Sequence, residues 1–225
     1  MTDVPDVALP SRLYPVSLAI AGRRCLVVGG GPVAARKVEG LLGCEAYVTV
    51  VAPEVVGAID GMVTPDRDNP AAALTIERRR YRSPEAAGYR LVVTATGLPE
   101  VDGLVASDAE AAGVWVNSAD DPDHCTFTLP AVHRQGPVTV AVSTRGASPA
   151  LAQWIRTRVA DSIGPDVAVL AELLEEARSS VKASGRSTEA FEWLPVIDRV
   201  APLVHQGRVD EARAVLASFT AGTSN

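Results

Sequence analysis

A glycine-rich run near the amino terminus carries the clearest chemical signal in this sequence. Residues 27–34, Val-Val-Gly-Gly-Gly-Pro-Val-Ala, contain the pattern G-x-G-x-x-A, with Gly29, Gly31 and Ala34 at the defining positions. Between a strand and a helix, the first glycine permits a tight turn, the second lets the backbone approach a pyrophosphate, and the alanine permits close packing. The helix that begins at Pro32 and Val33 then presents free N–H groups to the phosphates. The run predicts a dinucleotide site, and a plain strand-to-helix turn is the alternative.

The residue that would bind the ribose is displaced from its usual place. In dinucleotide-binding folds an acidic residue lies about 20 residues further on, at the end of the second strand. Here that strand is followed by Pro53 and Glu54, so Glu54 is the nearest acid. No arginine follows the strand to hold a 2′-phosphate, which favours NAD over NADP. The alternative is that Glu54 begins a helix after Pro53.

A cluster of aspartates offers candidates for proton transfer. Asp120 follows an apolar run that ends at Asn117, and Asp121 and Asp123 come soon after. A carboxylate at the carboxyl end of a parallel strand can accept the proton that leaves during an oxidation. We expect this role for Asp120, and turn or cap roles for Asp121 and Asp123.

The elements around these residues alternate between strands and helices. Four runs predict strands: 25–28, 46–51, 91–96 and 114–117. The first and the third, within RCLVVGG and RLVVTAT, are apolar without polar alternation, as buried parallel strands are. Predicted helical segments lie at 32–42, 53–60 and 99–112. Strand, helix and strand in this order predict parallel βαβ units, hence an α/β fold with a Rossmann-like sheet.

The second half of the sequence has a different pattern. Two strands are predicted at 126–129 and 138–143, joined by His-Arg-Gln-Gly-Pro. From Ser148 onward the chain is predicted to be helical, with Ser148 as the N-cap and Pro149 in the first turn. Breaks between these helices are expected near Gly164, Gly185 and Gly207.

Three domains follow from this division. They are a Rossmann domain for NAD at 1–115, a small β dimerisation segment with active-site loops at 116–147, and a carboxyl-terminal helical domain at 148–225. The second half is small and elongated, so we expect a partner subunit to complete its core.

Composition excludes several classes of protein. The 225 residues carry a net charge of −6, which argues against a protein that wraps nucleic acid but permits a local basic pocket. No signal-peptide pattern opens the sequence, and no apolar stretch approaches the roughly 20 residues of a membrane span. Cys25, Cys44 and Cys125 fit neither a disulfide framework nor a zinc site. We predict a cytoplasmic protein without a nucleic-acid or membrane partner.

Longer segments carry a specific resemblance. They are YPVSLAIAGRRCLVVGGGPVAARKVEGLL, VTVVAP, VVTATGLPEVD, NSADDPDHCTFTLPA and PVTVAVSTRGASPALAQWIR. In order and spacing they resemble the precorrin-2 dehydrogenase family, which includes the amino-terminal module of siroheme synthase. The resemblance implies NAD-dependent oxidation of precorrin-2 to sirohydrochlorin, and in some members insertion of Fe²⁺ to give siroheme. It also implies a homodimer, and the length leads us to expect a dehydrogenase without the fused methyltransferase.

The resemblance also implies roles for single residues. Asp120 matches the essential aspartate of the family and is the expected catalytic residue. The dinucleotide contacts are expected at Gly29, Gly31, Pro32, Val33, Pro53, Glu54, Thr94, Ala95, Thr96 and Gly97. Substrate contacts are expected at Asn117, His124, Ser143, Thr144 and Arg145. The family often has two serines where Ser143 and Thr144 stand, so both positions keep a hydroxyl in this chain.

A substrate with many carboxylates requires cations around it. Arg12, Arg134 and Arg145 lie in or beside the candidate segments, and Arg145 is the best placed. Arginine binds carboxylates bidentately and stays charged. The basic run at 77–82 is better explained as a solvated edge strand, since edge strands often carry charge.

Other functions stay open at this point. A regulatory domain that senses NAD(H) would keep the glycine run and would not need Asp120. An ordinary dehydrogenase of a small alcohol or acid would carry a Tyr–Lys or His-centred set, and neither Lys37 nor Lys182 lies in one. For iron insertion, Asp120 and His124 are the nearest suitable pair, although no dedicated metal spacing is present.

Overall fold

The computed structural model describes residues 13–63, 74–119 and 121–222. The chain divides into two compact units, residues 1–129 and 130–225. In the first unit, five parallel strands form one sheet in the order β3-β2-β1-β4-β5. The strands are β1 (Arg24–Val28), β2 (Tyr47–Val51), β3 (Leu74–Glu77), β4 (Leu91–Thr94) and β5 (Trp115–Ser118). The predicted Rossmann-like sheet is therefore confirmed.

Helices cover both faces of this sheet. They are α1 (Pro32–Leu42), the short α2 (Gly57–Asp60) and α3 (Pro99–Ala111). Alternate residues of β1 belong to two cores, since Cys25 and Val27 pack with α1 while Leu26 and Val28 pack with α3. This explains why the strands are apolar without alternation. Burial also raises the pKa of the Cys25 thiol to about 11, with a smaller contribution from Cys44.

Part of the predicted secondary structure is wrong. Residues 126–129 form no strand, because Thr126 is tied to Val116 of β5 instead. The Val116 amide donates to the Thr126 hydroxyl at 2.8 Å, and the Thr126 amide donates to the Val116 carbonyl at 2.9 Å. The helix predicted from residue 53 is shorter and begins only at Gly57. In addition, β5 crosses the predicted domain boundary at residue 115.

The charged run at 77–82 is predicted to be an edge strand. Only its first residue, Glu77, lies in the edge strand β3, which ends there. Its charges mostly form ion pairs within the first unit. Arg79 donates from Nε to the Glu77 carboxylate at 2.7 Å and from Nη2 to Glu85 at 2.6 Å. Arg78 contacts Asp60 at 2.6 Å. These pairs hold the chain that leaves β3 beside the sheet.

The second unit combines a hairpin with four helices. The antiparallel strands β6 (Ala131–Gln135) and β7 (Val138–Val142) pair across a turn, so most of the predicted linker lies in β6. The helices are α4 (Pro149–Ile163), α5 (Asp166–Ala183), α6 (Trp193–His205) and α7 (Val209–Ala221). Their breaks fall at the three predicted glycines. Helices α5, α6 and α7 enclose a core that includes Leu173, Val200 and Leu216.

The start of α4 is the predicted one. The Ser148 hydroxyl accepts a hydrogen bond from the Leu151 amide at 3.1 Å, and Pro149 occupies the first turn. Within the described ranges, no helix has both the length and the apolar character that crossing a bilayer requires.

Candidate functional site

The glycine turn between β1 and α1 is held by very close backbone contacts. Gly29 has φ +125°, and a Cβ built there would lie 2.2 Å from the carbonyl oxygen of Ala95. A Cβ at Gly30 would lie 1.9 Å from the carbonyl oxygen of Glu54. The Val56 amide donates to the Gly30 carbonyl at 2.8 Å. The glycine turn is thus packed closely between the segment that follows β2 and the segment that follows β4. The G-x-G-x-x-A pattern assigns no role to Gly30. The only indication of its importance in the sequence is that it is a third glycine in the run.

Gly31 differs from its two neighbours, because a Cβ there would meet nothing within 4 Å. It is the N-cap of α1, no side chain caps that helix, and no acidic residue lies in the first turn. Pro32 has no N–H, and the Ala35 amide donates to the Gly31 carbonyl at 3.0 Å. The Val33 and Ala34 amides are therefore the free donors of this helix start, and no side chain caps them. An uncapped helix start beside open space suits a pyrophosphate, through its N–H groups and the positive end of the helix dipole.

Glu54 lies where a ribose contact is expected. Glu54 is exposed and stands three positions before Gly57, the first residue of α2, so it does not begin that helix. Its carbonyl packs against Gly30, which ties the end of β2 to the glycine turn. Pro53 beside it is also exposed. The Glu54 side chain is thus available to accept bonds from ribose hydroxyls.

The predicted turn Thr94–Gly97 follows β4 on the same sheet edge. Its carbonyl at Ala95 is the group that faces Gly29. Thr94 is fully buried, and its hydroxyl donates to the carboxylate of Asp102 in α3. Sequence reasoning missed Asp102. Its signal was its position on the same helical stripe as the buried Val105, Ala106 and Ala109.

Asn117 lies at the end of β5 and is buried. Its side-chain nitrogen donates to the Phe127 carbonyl at 3.1 Å and lies 3.5 Å from the Cys125 sulfur. The Ser118 amide donates to that sulfur at 3.2 Å, and the thiol donates back to the Ser118 carbonyl at 3.3 Å. Burial raises the pKa of the Cys125 thiol. These bonds fasten residues 125–127 to the end of β5.

Asp120 lies outside the described residues, and so does Arg12. The residue before Asp120, Ala119, donates its amide to the Thr94 carbonyl at 2.9 Å, which connects the end of β5 to the β4 turn. Asp121 contacts His124 Nδ1 through Oδ2 at 2.6 Å, and its Oδ1 accepts from the Asp123 amide at 3.2 Å. The bond to His124 holds the pKa of Asp121 below its ordinary value. Asp121 therefore caps the short 3-10 turn Pro122–His124, and both of its carboxylate oxygens are hydrogen-bonded.

Three predicted substrate residues lie in the second unit, in the loop between β7 and α4. Thr144 donates its hydroxyl to the Ser148 carbonyl at 2.9 Å and accepts from the Ser148 amide at 3.2 Å. The Ser143 hydroxyl accepts from the Arg145 amide at 3.2 Å. Arg145 is exposed and has φ +55°. The loop is therefore built by its own hydroxyl groups. The structure brings the dinucleotide residues together within the first unit.

A Rossmann sheet whose glycine turn leads into an open helix start defines a dinucleotide-binding protein. A family model described as "Putative NAD(P)-binding" matches residues 16–131. The chain belongs to this NAD(P)-binding family. A second model, described as "Sirohaem biosynthesis protein central", matches residues 135–162.

Known proteins resemble the chain over most of its length. The siroheme synthase of Methylococcus capsulatus is 36% identical over 205 residues, which cover 90% of this chain and 42% of that protein. The siroheme synthase of Methylobacillus flagellatus is 33% identical over 92% of this chain and 44% of its own. The chain thus spans less than half the length of these relatives. The solved structure of SirC, precorrin-2 dehydrogenase, matches with a TM-score of 0.64 and 25% identity, over 92% of this chain and 96% of that one.

The close contact at Gly30 predicts a stability difference between two glycines. We expect Gly30→Ala to lower the free energy of unfolding by about 1–3 kcal/mol, because the new Cβ overlaps the Glu54 carbonyl. Gly40→Ala is the control, since that Cβ would meet nothing within 4 Å in α1 and should stabilise the chain by about 0.5–1 kcal/mol. Urea unfolding of both variants measures the difference. Equal stabilities would contradict the packing described for the glycine turn.

Proposed function

We propose that this chain catalyses the NAD-dependent oxidation of precorrin-2 to sirohydrochlorin. The observation that carries the proposal is the open, uncapped start of α1 at Gly31 on the carboxyl edge of a Rossmann sheet. Its substrate class comes from the resemblance to precorrin-2 dehydrogenase, which covers 96% of that chain. The siroheme synthase relatives and the sirohaem-biosynthesis segment support the same assignment.

The reaction removes one hydride and one proton from precorrin-2. Bound NAD supplies an acceptor for the hydride at the nicotinamide C4, while the proton passes to a base or to water. The amides of Val33 and Ala34 would hold the pyrophosphate, and the exposed Glu54 carboxylate would accept hydrogen bonds from the ribose hydroxyls. The turn Thr94–Gly97 lies against the glycine turn and lines the same edge.

Asp120 is assigned the role of the base. It follows β5, and ligands of open α/β sheets bind beyond the carboxyl ends of the strands. A carboxylate there accepts the proton without help from Asp121, whose oxygens are already bonded to His124 and to the Asp123 amide. Asn117, His124, Ser143, Thr144 and Arg145 are assigned to the substrate. The guanidinium of Arg145 suits a carboxylate side chain of the tetrapyrrole.

Iron insertion is not needed for this proposal. Fe²⁺ would be a second substrate, and among the described residues no group of three or more His, Cys, Asp and Glu side chains could hold a metal ion. The prediction of a ferrochelatase activity therefore rests on the family resemblance alone. We assign the oxidation to the cytoplasm, because a reducing compartment suits three cysteines that form no disulfide.

We further propose that two copies of the chain form a homodimer in which α4 adds to the contact predicted for the segment 116–147. Leu151 and Trp154 lie one turn apart on this helix and are 47% and 57% exposed. Exposed apolar surface of this kind is typical of a protein–protein contact.

The dimer predicts a change in mass on substitution. Light scattering should give twice the chain mass for the unmodified protein and the chain mass for Trp154→Glu, because a buried carboxylate opposes association. Leu194→Glu is the control, since Leu194 is 76% exposed on α6 and should leave the dimer intact. A single-chain mass for the unmodified protein would exclude the homodimer.

Replacing the assigned base separates chemistry from cofactor binding. We expect Asp120→Asn to reduce the rate of dehydrogenation by about 10²–10⁴-fold, since the amide cannot accept the proton. NADH should still bind, as measured by fluorescence titration. Asp123→Asn is the matched control, because it makes the same change at an exposed aspartate of the same segment. Since Asp123 is assigned no role in proton transfer, this variant should keep normal turnover. Normal turnover by Asp120→Asn would refute the assignment of the base.

The start of α1 can be tested by placing a negative charge there. Gly31→Asp should lower the affinity for NADH by at least about tenfold, because the carboxylate occupies the open space and repels the pyrophosphate. Gly40→Asp puts the same group on α1 beyond the site and should leave the affinity unchanged. Measured melting temperatures check that both variants are folded. An unchanged affinity in Gly31→Asp would rule out pyrophosphate binding at this helix start.

A further inference from the structure

A buried carboxylate lies beside the dinucleotide edge without a role in the proposed chemistry. Asp102 is only 7% exposed, in the first turn of α3. Its Oδ1 accepts from the Thr94 hydroxyl, from the Thr96 hydroxyl at 2.8 Å and from the Thr96 amide at 3.2 Å. Among the described residues, no basic side chain forms a salt bridge with it. Hydrogen bonds from the turn are thus its main compensation for burial.

The hydrogen bonds to Asp102 hold the geometry of this turn. Its Oδ1 is a hydrogen-bond acceptor, and both threonine hydroxyls donate to it. The Thr96 oxygen then accepts from the Leu98 amide at 3.0 Å. Two side chains and two backbone amides are thereby held in one arrangement.

The turn held by Asp102 is joined to both neighbouring parts of the site. The Ala95 amide donates to the Val28 carbonyl at 2.8 Å, and the Ala95 carbonyl faces Gly29. On the other side, the Thr94 carbonyl accepts from the Ala119 amide at 2.9 Å. A shift of this turn would therefore displace the glycine turn and the end of β5 together. Carboxylates that only stabilise a helix start bond to its own amides, whereas Asp102 bonds to the preceding turn.

We propose that Asp102 is a positioning residue for the dinucleotide. It holds the turn Thr94–Gly97 against the glycine turn, so this part of the NAD site is already ordered before the cofactor binds. Less binding free energy is then lost in ordering the turn. This inference rests on the proposed function, because it concerns the same NAD site. It predicts an effect on cofactor affinity, with a much smaller effect on the chemical step.

The test compares Asp102→Ala and Asp102→Asn with the unmodified full chain. We expect Asp102→Ala to raise the Kd for NADH and the KM for NAD at least about tenfold, while kcat at saturating NAD changes less than about threefold. Asp102→Asn keeps an acceptor oxygen for the Thr96 amide and should recover most of the affinity. If Asp102→Ala fails to fold, Thr94→Val keeps the test decisive, because it removes a buried hydroxyl that donates to Asp102 and should also raise the Kd for NADH. An unchanged Kd in a folded Thr94→Val would contradict the proposal.

A merely structural role gives a different result. Val105→Ala is the matched control, because it removes fully buried atoms one turn further along α3, in an apolar cluster that contains no residue of the turn. It should lower the melting temperature and leave the Kd for NADH unchanged. If Asp102→Ala behaves in the same way, with a lower melting temperature and an unchanged Kd, the positioning role is wrong. If the unmodified chain binds no NADH, the proposed function itself fails.

Discussion

The close approach of three backbone segments at the carboxyl edge of the sheet is the constraint on which the site depends. The glycine turn after β1 lies between the segments that follow β2 and β4, at separations that exclude a Cβ at Gly29 and at Gly30. This packing fixes the direction in which α1 leaves the sheet. It also keeps the start of α1 clear, because the contacts stop before Gly31. The anion-binding character of the site is a consequence of this packing.

Most of the first unit could be predicted from sequence because its signals are local. Apolar strands, a glycine run and a Pro-started helix each depend on neighbouring residues, and the sheet and α1 follow them. The segment 126–129 has strand-like letters, yet side-chain bonds to β5 replace a ladder there. Asp102 was missed for a related reason. Its function depends on a partner turn that a helix pattern does not reveal.

The predicted site residues differ in how much of their bonding is already used. Gly31 and Glu54 face open space or solvent, as ligand contacts should. Asn117 and Asp121 bond to neighbouring groups, which fastens the segment around Asp120. Thr144 similarly organises the loop of the second unit that carries Arg145. The residues that the family resemblance singles out thus include exposed groups such as Glu54 and groups that bond to their neighbours, such as Asn117 and Thr144.

The NAD-dependent oxidation of precorrin-2 can be measured directly on the unmodified chain. Purified unmodified chain is mixed with precorrin-2 and NAD without oxygen, and the absorbance of NADH and of the tetrapyrrole is followed before and after Fe²⁺ is added. An NAD-dependent dehydrogenase forms one NADH for each sirohydrochlorin, before any metal is present. A precorrin-2 spectrum that stays unchanged while NADH binds normally would contradict that claim and would instead indicate a protein that senses the dinucleotide.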